Sequence, residues 1–337
     1  MTEYEGVMVY CEASDNKLSR MAMELIGIGS FLADKLGQKL IAVIIGSEIR
    51  KLANEAIAYG ADKVYIVEDP LLSDYLTDSY LMVMIKIIKQ AMPSIVLLGQ
   101  TDVGRDLAPR LAFRLNTIAT MDCVSLEIDL SNGRLLRTKP VYGGNALEVQ
   151  LCESDPQIAT VRRNMMAPLE KDNSRQGEII KLAADIDWAS VGTKLIDRRE
   201  EMAAGIKLED AKVIVTGGRG IGGPNGFIQL EELARVLKGA VGASRPPCSS
   251  KWVPDNLQIG ITGKIVSPEL YIAVGISGST QHLSGCLESK VIVAINSDPE
   301  SDIFKVSHYG IVADWKRALP VFTMELKELL AEDYHNI

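Results

Sequence analysis

Histidine and cysteine are scarce: the 337 residues include only His282, His308 and His335, with five cysteines, Cys11, Cys123, Cys152, Cys248 and Cys286. The cysteines lie far apart and form no CxxC or ferredoxin spacing, which argues against an iron–sulfur cluster, a zinc site or a disulfide framework. They read as passive thiols. No apolar run approaches the roughly 20 residues that cross a bilayer, so no membrane span is expected. Met1–Val9 shows neither a basic n-region nor a cleavable apolar segment, and the cytoplasm is the expected compartment. Positive charge is also in deficit. Lys and Arg number 36 against 44 Asp and Glu, a net charge of −8, which disfavours broad electrostatic binding to nucleic acid.

What is present is an ordinary globular balance, 47% hydrophobic and 24% charged, in a chain long enough for two domains. The first half alternates strand and helix. Strands are expected at Gly6–Cys11, Lys39–Ile45, Lys63–Val67 and Ser94–Gly99. Helices are expected at Ser19–Leu36 (capped by Asp15 or Ser19), Ile49–Tyr59, Asp74–Ala91 and along TDVGRDLAPRLAFRL. This alternation predicts an α/β fold with a mainly parallel sheet covered on both faces, whose ligands sit beyond the carboxyl ends of the strands. Those ends carry only Gly46-Ser47 and Gly99-Gln100-Thr101, with no P-loop, no GxSxG elbow and no grouped carboxylates. Turn and cap roles suffice for them. Cys123–Asp129, Arg134–Tyr142 and Leu147–Cys152 then read as antiparallel strands extending one edge of that sheet, and Gln157–Arg163 as a further strand. Residues 167–209 are rich in charge, with a strand expected near Ala189–Arg199. The domain boundary is placed close to Gly205, giving domains 1–205 and 206–337.

Beyond that boundary the strand Lys212–Thr216 runs into Gly217-Gly218-Arg219-Gly220-Ile221-Gly222-Gly223, and a helix follows over Phe227–Leu237. Gly218, Gly220 and Gly223 satisfy a GxGxxG spacing, a weak signal by itself. The next strand, Ala240–Ala243, ends in Ser244-Arg245 rather than an acid, which would suit a 2′-phosphate and makes an NAD(P)-binding subunit of a dehydrogenase or transhydrogenase the alternative reading. Two arginines, Arg219 and Arg245, follow adjacent strand ends and are expected to face one crevice. Farther on, the strands Leu270–Val274 and Val291–Ile295 bracket Gly275, Ser277, Gly278, Ser279, Gln281 and His282. Small and polar residues at a strand end let a ligand approach the backbone and direct N–H groups at an anion, so a phosphate-bearing cofactor is expected there.

Three stretches carry a family resemblance: GASRP, WVPDNLQIGITGKIVSPELYIAVGISGSTQHLSG and VIVAINSDPESDIFKVSHYGIVADW. They resemble the C-terminal domain of the electron transfer flavoprotein alpha subunit (FixB) family, and GGRGIGG and TDVGRDLAPRLAFRL also match its pattern. The resemblance implies a nucleotide-hydrolase-like N-terminal α/β domain that docks a beta subunit, and a C-terminal Rossmann-like domain that binds FAD. It implies a heterodimeric electron carrier, without catalytic residues of its own, that accepts electrons from an acyl-CoA dehydrogenase-type partner and passes them to another redox protein. Whether such a pair bifurcates electrons is left open.

By the same resemblance Arg219 and Ser244 contact the nucleotide side, while Gln258, Ile259, Gly260, Ile261 and Thr262 pass along the flavin. The run Ser277, Gly278, Ser279, Thr280, Gln281 and His282, entered through Gly275, wraps the pyrophosphate, ribityl chain and ring edge. Asn296, Asp314 and Trp315 lie around the adenosine. Arg245 is implied over the ring, the Thr262 hydroxyl near N5 and His282 at the O2 edge. Electron uptake builds negative charge on the ring, so fixed positive charge and N–H donors there raise its potential. Two departures stand out. Ile261 replaces a common glutamine, and Pro246-Pro247-Cys248-Ser249-Ser250 replaces a run of small and acidic residues, which is expected to stiffen a loop and to leave Cys248 as an exposed thiol or a passive neighbour.

Overall fold

The computed structural model describes residues 4–14, 16–197 and 206–333. The expected cap Asp15, the boundary residue Gly205 and His335 lie outside the described residues. The chain divides into two compact units, residues 1–141 with 147–200, and residues 201–337 with 142–146.

The first unit runs β1 (Val7–Tyr10), a small ladder of β2 (Ala13–Ser14) and β3 (Lys17–Leu18), α1 (Arg20–Leu36), β4 (Leu40–Gly46), α2 (Leu52–Ala58), β5 (Lys63–Glu68), α3 (Thr77–Ala91), β6 (Ile95–Gly99) and α4 (Asp102–Leu115). It continues through β7 (Ala119–Cys123), β8 (Ser125–Asp129), β9 (Arg134–Val141), β10 (Ala146–Gln150, all but its first residue in this unit), β11 (Gln157–Val161) and β12 (Glu178–Leu182). Seven strands form one sheet in the order β12-β5-β4-β1-β6-β11-β7, every pairing parallel. Side-chain alternation splits its interior into two cores. Val7, Val9, Ala42 and Ile44 face α1 and α2, while Met8, Tyr10, Val43 and Ile45 face α3 and α4. Both faces are covered, which is why these strands read as continuous apolar runs. Ser19 caps α1 by accepting from the Ala22 N–H, and Thr101 caps α4 by accepting from Gly104.

The structure corrects two expectations here. The hairpin strands β8, β9 and β10 form a separate three-stranded sheet instead of extending the main one. The main sheet is extended by β7, which lies parallel to β11, and at the other edge by β12 beside β5. No strand is found over 189–197; a single 3-10 turn, Trp188–Ser190, stands there, and residues 198–199 lie outside the described residues.

The second unit consists of β13 (Val213–Gly217), α5 (Asn225–Val236), β14 (Ala240–Ala243), α6 (Arg245–Ser249), β15 (Leu270–Val274), α7 (Thr280–Leu283), β16 (Val291–Asn296), α8 (Ile303–Val306), β17 (Tyr309–Val312) and α9 (Trp315–Asp333). Its five strands are all parallel in the order β14-β13-β15-β16-β17. Alternate residues again sort into two cores: Ile214, Tyr271, Ala273 and Ile292 with Ile303 of α8 on one face, and Val215, Ile272, Val274 and Ile295 with α5 and α9 on the other.

Candidate functional site

In the second sheet the chain moves from β13 outward to β14, then returns across β13 to begin β15, so the strand order reverses between β13 and β15. Parallel sheets bind ligands beyond the carboxyl ends of their strands at such a reversal. Arg219 follows β13, Ser244 and Arg245 follow β14, Gly275–Ser279 follow β15, Asn296 closes β16 and Asp314 follows β17. The topology therefore gathers these separated residues at one end of one sheet.

The glycine loop after β13 has a structural use. Gly220 donates its N–H to the carbonyl of Gly275 at 3.0 Å, and a Cβ on Gly218 would overlap that same carbonyl. The close approach that the GxGxxG spacing permits is made by the neighbouring loop, so the spacing gives no support to the NAD(P) alternative.

Arg219 and Arg245 are exposed, and among the described residues neither guanidinium has a hydrogen-bond or ion-pair partner. Ser244 is buried and donates its backbone N–H to Gly217, tying the end of β14 to β13. The segment expected to be a stiff loop is the short helix α6. Its prolines occupy the first turn, where a missing N–H costs nothing, and Cys248 is fully buried on its inner face. Cys248 is thus a passive neighbour and not an exposed thiol.

The turn after β15 requires left-handed backbone at Gly275 (φ 62°) and Gly278 (φ 87°), and at Gly278 a Cβ would collide with the backbone of Asp302 and Ile303. Between and after them Ser277, Ser279, Thr280 and Gln281 are exposed, and Ser279 opens α7 with its hydroxyl making no cap hydrogen bond. Gln258–Thr262 lies beside this turn. Ile259 donates to the Ala243 carbonyl and Ile261 donates to the Gln281 carbonyl at 2.8 Å, so stretches twenty residues apart in sequence become neighbours. Gly260 fits only because it lacks a side chain; a Cβ there would come within 2.7 Å of the Gln281 carbonyl oxygen. Gln258 donates to the exposed Thr262 hydroxyl at 2.9 Å. Ile261 is 61% exposed, and its N–H is committed inside the protein.

Several expected contacts are engaged elsewhere. The Asn296 amide donates to the Ile276 carbonyl at 2.8 Å, and its oxygen accepts from Asp298, so it latches the end of β16 to the β15 turn. Trp315 is 8% exposed and donates to the Gly220 carbonyl. The Asp314 carboxylate accepts from the N–H of Lys316.

His282 differs most from expectation. It is 5% exposed, with Nδ1 3.0 Å from the Ile259 carbonyl and Nε2 2.9 Å from the Tyr271 hydroxyl. Burial pushes its imidazole down to about 4, against the opposing pull of the Ile259 hydrogen bond, so it is neutral at physiological pH. Neither nitrogen is left for a ring edge. Tyr271 was not singled out in the sequence because it sits in an aliphatic strand; a lone phenol there is the signal that could have found it.

The exposed groups form a donor set of two unpaired guanidiniums and several hydroxyls on a glycine-shaped backbone, which matches the phosphates and ribityl chain of FAD. The arrangement can bind an anionic cofactor and place positive charge beside it, and it contains no nucleophile–base pair.

Comparison with known proteins bears on the same residues. Residues 7–187 match the family model described as the electron transfer flavoprotein domain, and residues 207–287 match the electron transfer flavoprotein FAD-binding domain. The chain is 44% identical over 330 residues to the electron transfer flavoprotein subunit alpha of Thermoanaerobacterium thermosaccharolyticum, covering 98% of this chain and 100% of that one. It is 44% identical over 324 residues to the Bacillus subtilis protein of the same name, covering 96% and 98%. Protein FixB of Clostridium saccharobutylicum is 38% identical over 334 residues, covering 99% of each.

Proposed function

The chain belongs to the electron transfer flavoprotein alpha-subunit family, with FAD as its cofactor, and on that premise we propose that its second domain, 206–337, holds the FAD and its first domain, 1–205, docks a beta subunit. The observation that carries this reading is the convergence of Arg219, Arg245 and the Gly275–Gln281 turn at the carboxyl ends of one parallel sheet, the guanidiniums unpaired. Bound FAD takes up electrons from one protein and gives them to another.

The chain's own residues do the rest. Arg219 and Ser244 meet the nucleotide side, and the Ser277–Gln281 turn presents hydroxyls and backbone to the pyrophosphate and ribityl chain. Gln258–Thr262 borders the ring, where the Thr262 hydroxyl and the Arg245 charge favour the electron-rich state. Ile259 and Gly260 contribute backbone, and Ile261 an apolar wall. Asn296 and Trp315 act through the loops they fasten, and Asp314 through the turn that opens α9. No carboxylate or imidazole is asked to move a proton.

The electron donor in this reading is an acyl-CoA dehydrogenase-type protein and the acceptor another redox protein, an assignment that family membership supports. Co-purification with the beta subunit should yield a yellow heterodimer that releases FAD on denaturation. A colourless complex, or release of a nicotinamide nucleotide, would defeat the proposal. Counting cofactors sorts simple carriage, one FAD with AMP, from bifurcation, two FAD. Rapid mixing with reduced acyl-CoA dehydrogenase should reduce the heterodimer's flavin, and failure with every such dehydrogenase of the host would reject the donor assignment.

A further inference from the structure

The stretch that borders the ring closes on itself. Lys264 donates its N–H to the Gln258 carbonyl at 2.7 Å, Gly260 donates to the Lys264 carbonyl at 3.1 Å, and Gly263 donates to Gly260 at 2.9 Å, so Gln258–Lys264 is one loop whose two ends meet. Its base rests on the chain's entry into the second unit. There a 3-10 turn, Leu208–Asp210, places Leu208, 4% exposed, in one core with Ile259 and Val266. Leu208 and Ile259 meet over Gly242 of β14, where an added Cβ would come within 2.5 Å of Ile259 and 3.4 Å of Leu208. Beside Leu208, the Glu209 carboxylate pairs with the ammonium of Lys264, and the two side chains are 23% and 42% exposed, so the pair is partly shielded from water. The loop and the entry turn are thus joined twice, by apolar packing and by charge.

We propose that Glu209 and Lys264 are positioning residues of the flavin site: their ion pair fastens the loop Gln258–Lys264 to the turn through which the chain enters the second domain, and so sets where the Thr262 hydroxyl and the backbone of Ile259 and Gly260 stand. The inference rests on the reading that FAD lies along that loop. The sign of the effect separates this role from a direct one. Glu209 brings a negative charge to the site of an anionic cofactor, so by charge alone its removal would tighten FAD binding and make the flavin easier to reduce. As one half of a tie, its removal lets the loop drift, which weakens binding and takes the Thr262 hydroxyl out of place. Lys264 does not make this distinction, because losing it removes a positive charge and the tie together.

The test uses the co-expressed heterodimer, stripped of flavin and titrated with FAD, together with a redox titration of the loaded form. Glu209→Gln should weaken FAD binding about threefold to fivefold at low salt, the range open to a partly shielded ion pair. The loss should fade at high salt, where the wild-type pair is itself screened. The same variant should lower the flavin midpoint potential. Glu209→Lys sets two ammonium groups against each other and should bind FAD no better than Glu209→Gln, while the charge-swapped double variant, Glu209→Lys with Lys264→Glu, rebuilds the pair and should recover most of the wild-type affinity. FAD binding in Glu209→Gln equal to or tighter than wild type overturns the proposal, as does a potential that stays level or rises. A double variant that binds no better than Glu209→Lys overturns it too. These outcomes are separate from the flavin reading, which fails only if wild type carries no FAD.

Discussion

Replacing Gly278 by alanine should damage the second domain far more than the same change at Gly222, although both have nearly the same backbone angle, φ 87° and φ 83°. Each alanine pays about 1–2 kcal/mol for left-handed backbone. Each recovers about 0.4–1 kcal/mol from a less flexible unfolded chain, leaving a net cost of about 1 kcal/mol. At Gly222 nothing lies within 4 Å of the added Cβ, so the cost ends there. At Gly278 the Cβ meets the backbone of Asp302 and Ile303, and Ile303 is tied by its N–H to the Ser277 carbonyl at 3.1 Å, so neither side can yield cheaply. Overpacking of that kind adds about 1–3 kcal/mol, giving a total of about 3 kcal/mol. Urea unfolding followed by tryptophan fluorescence in a Trp188→Phe background reads the second domain, because the remaining tryptophans, Trp252 and Trp315, both lie there. Equal destabilisation by the two alanines would refute the steric account of the β15 turn.

Arg245→Ala should lower the midpoint potential of the flavin, and Arg245→Lys should lower it less; each 59 mV corresponds to about 1.4 kcal/mol of lost preference for the reduced state. A redox titration that leaves the potential unchanged contradicts the role given to that charge. Glu24 makes a pH prediction for the first domain. Although it pairs with Arg20 at 3.2 Å and accepts from the Asn164 N–H at 2.8 Å, it is 1% exposed, and burial raises its carboxyl above the usual carboxylate range. The folded state therefore holds this proton where the unfolded chain has released it, and stability falls as pH rises through that window. Glu24→Gln keeps an acceptor for Asn164 and removes the buried charge, so its unfolding midpoint should fall less between acid and neutral pH than that of wild type. Parallel pH profiles would contradict this.

The alternation of apolar runs and helical periodicity was enough to read the parallel sheets, because strands covered on both faces leave little ambiguity in residues such as Leu40–Gly46 or Ile95–Gly99. The edges were harder. β7 and β12 are partly exposed and carry mixed side chains, so their sequences, ATMDC and EIIKL, lack the signature of a buried strand. The hairpin of β8 and β9 was legible from its turns, but which sheet it joins is decided by tertiary pairing and not by local pattern. At the candidate site, chain order alone put Arg219, Arg245 and the β15 turn at strand ends. The orientation of His282 was not legible. A histidine among serines and glycines looks like a ligand-facing group, and only the fold reveals Tyr271 eleven residues earlier beneath it. The use of the glycine spacing was hidden for the same reason: Gly218 and Gly220 leave room for Gly275, a partner more than fifty residues away.

Backbone hydrogen exchange of the heterodimer, measured with FAD bound and after its removal, tests most directly where the cofactor lies. Bound FAD should slow exchange across residues 258–262 and 275–282 and near Arg219 and Arg245, while leaving the strand ends at Gly46-Ser47 and Gly99–Thr101 unchanged. Protection confined to the first domain, or absent from both segments of the second, would contradict the account.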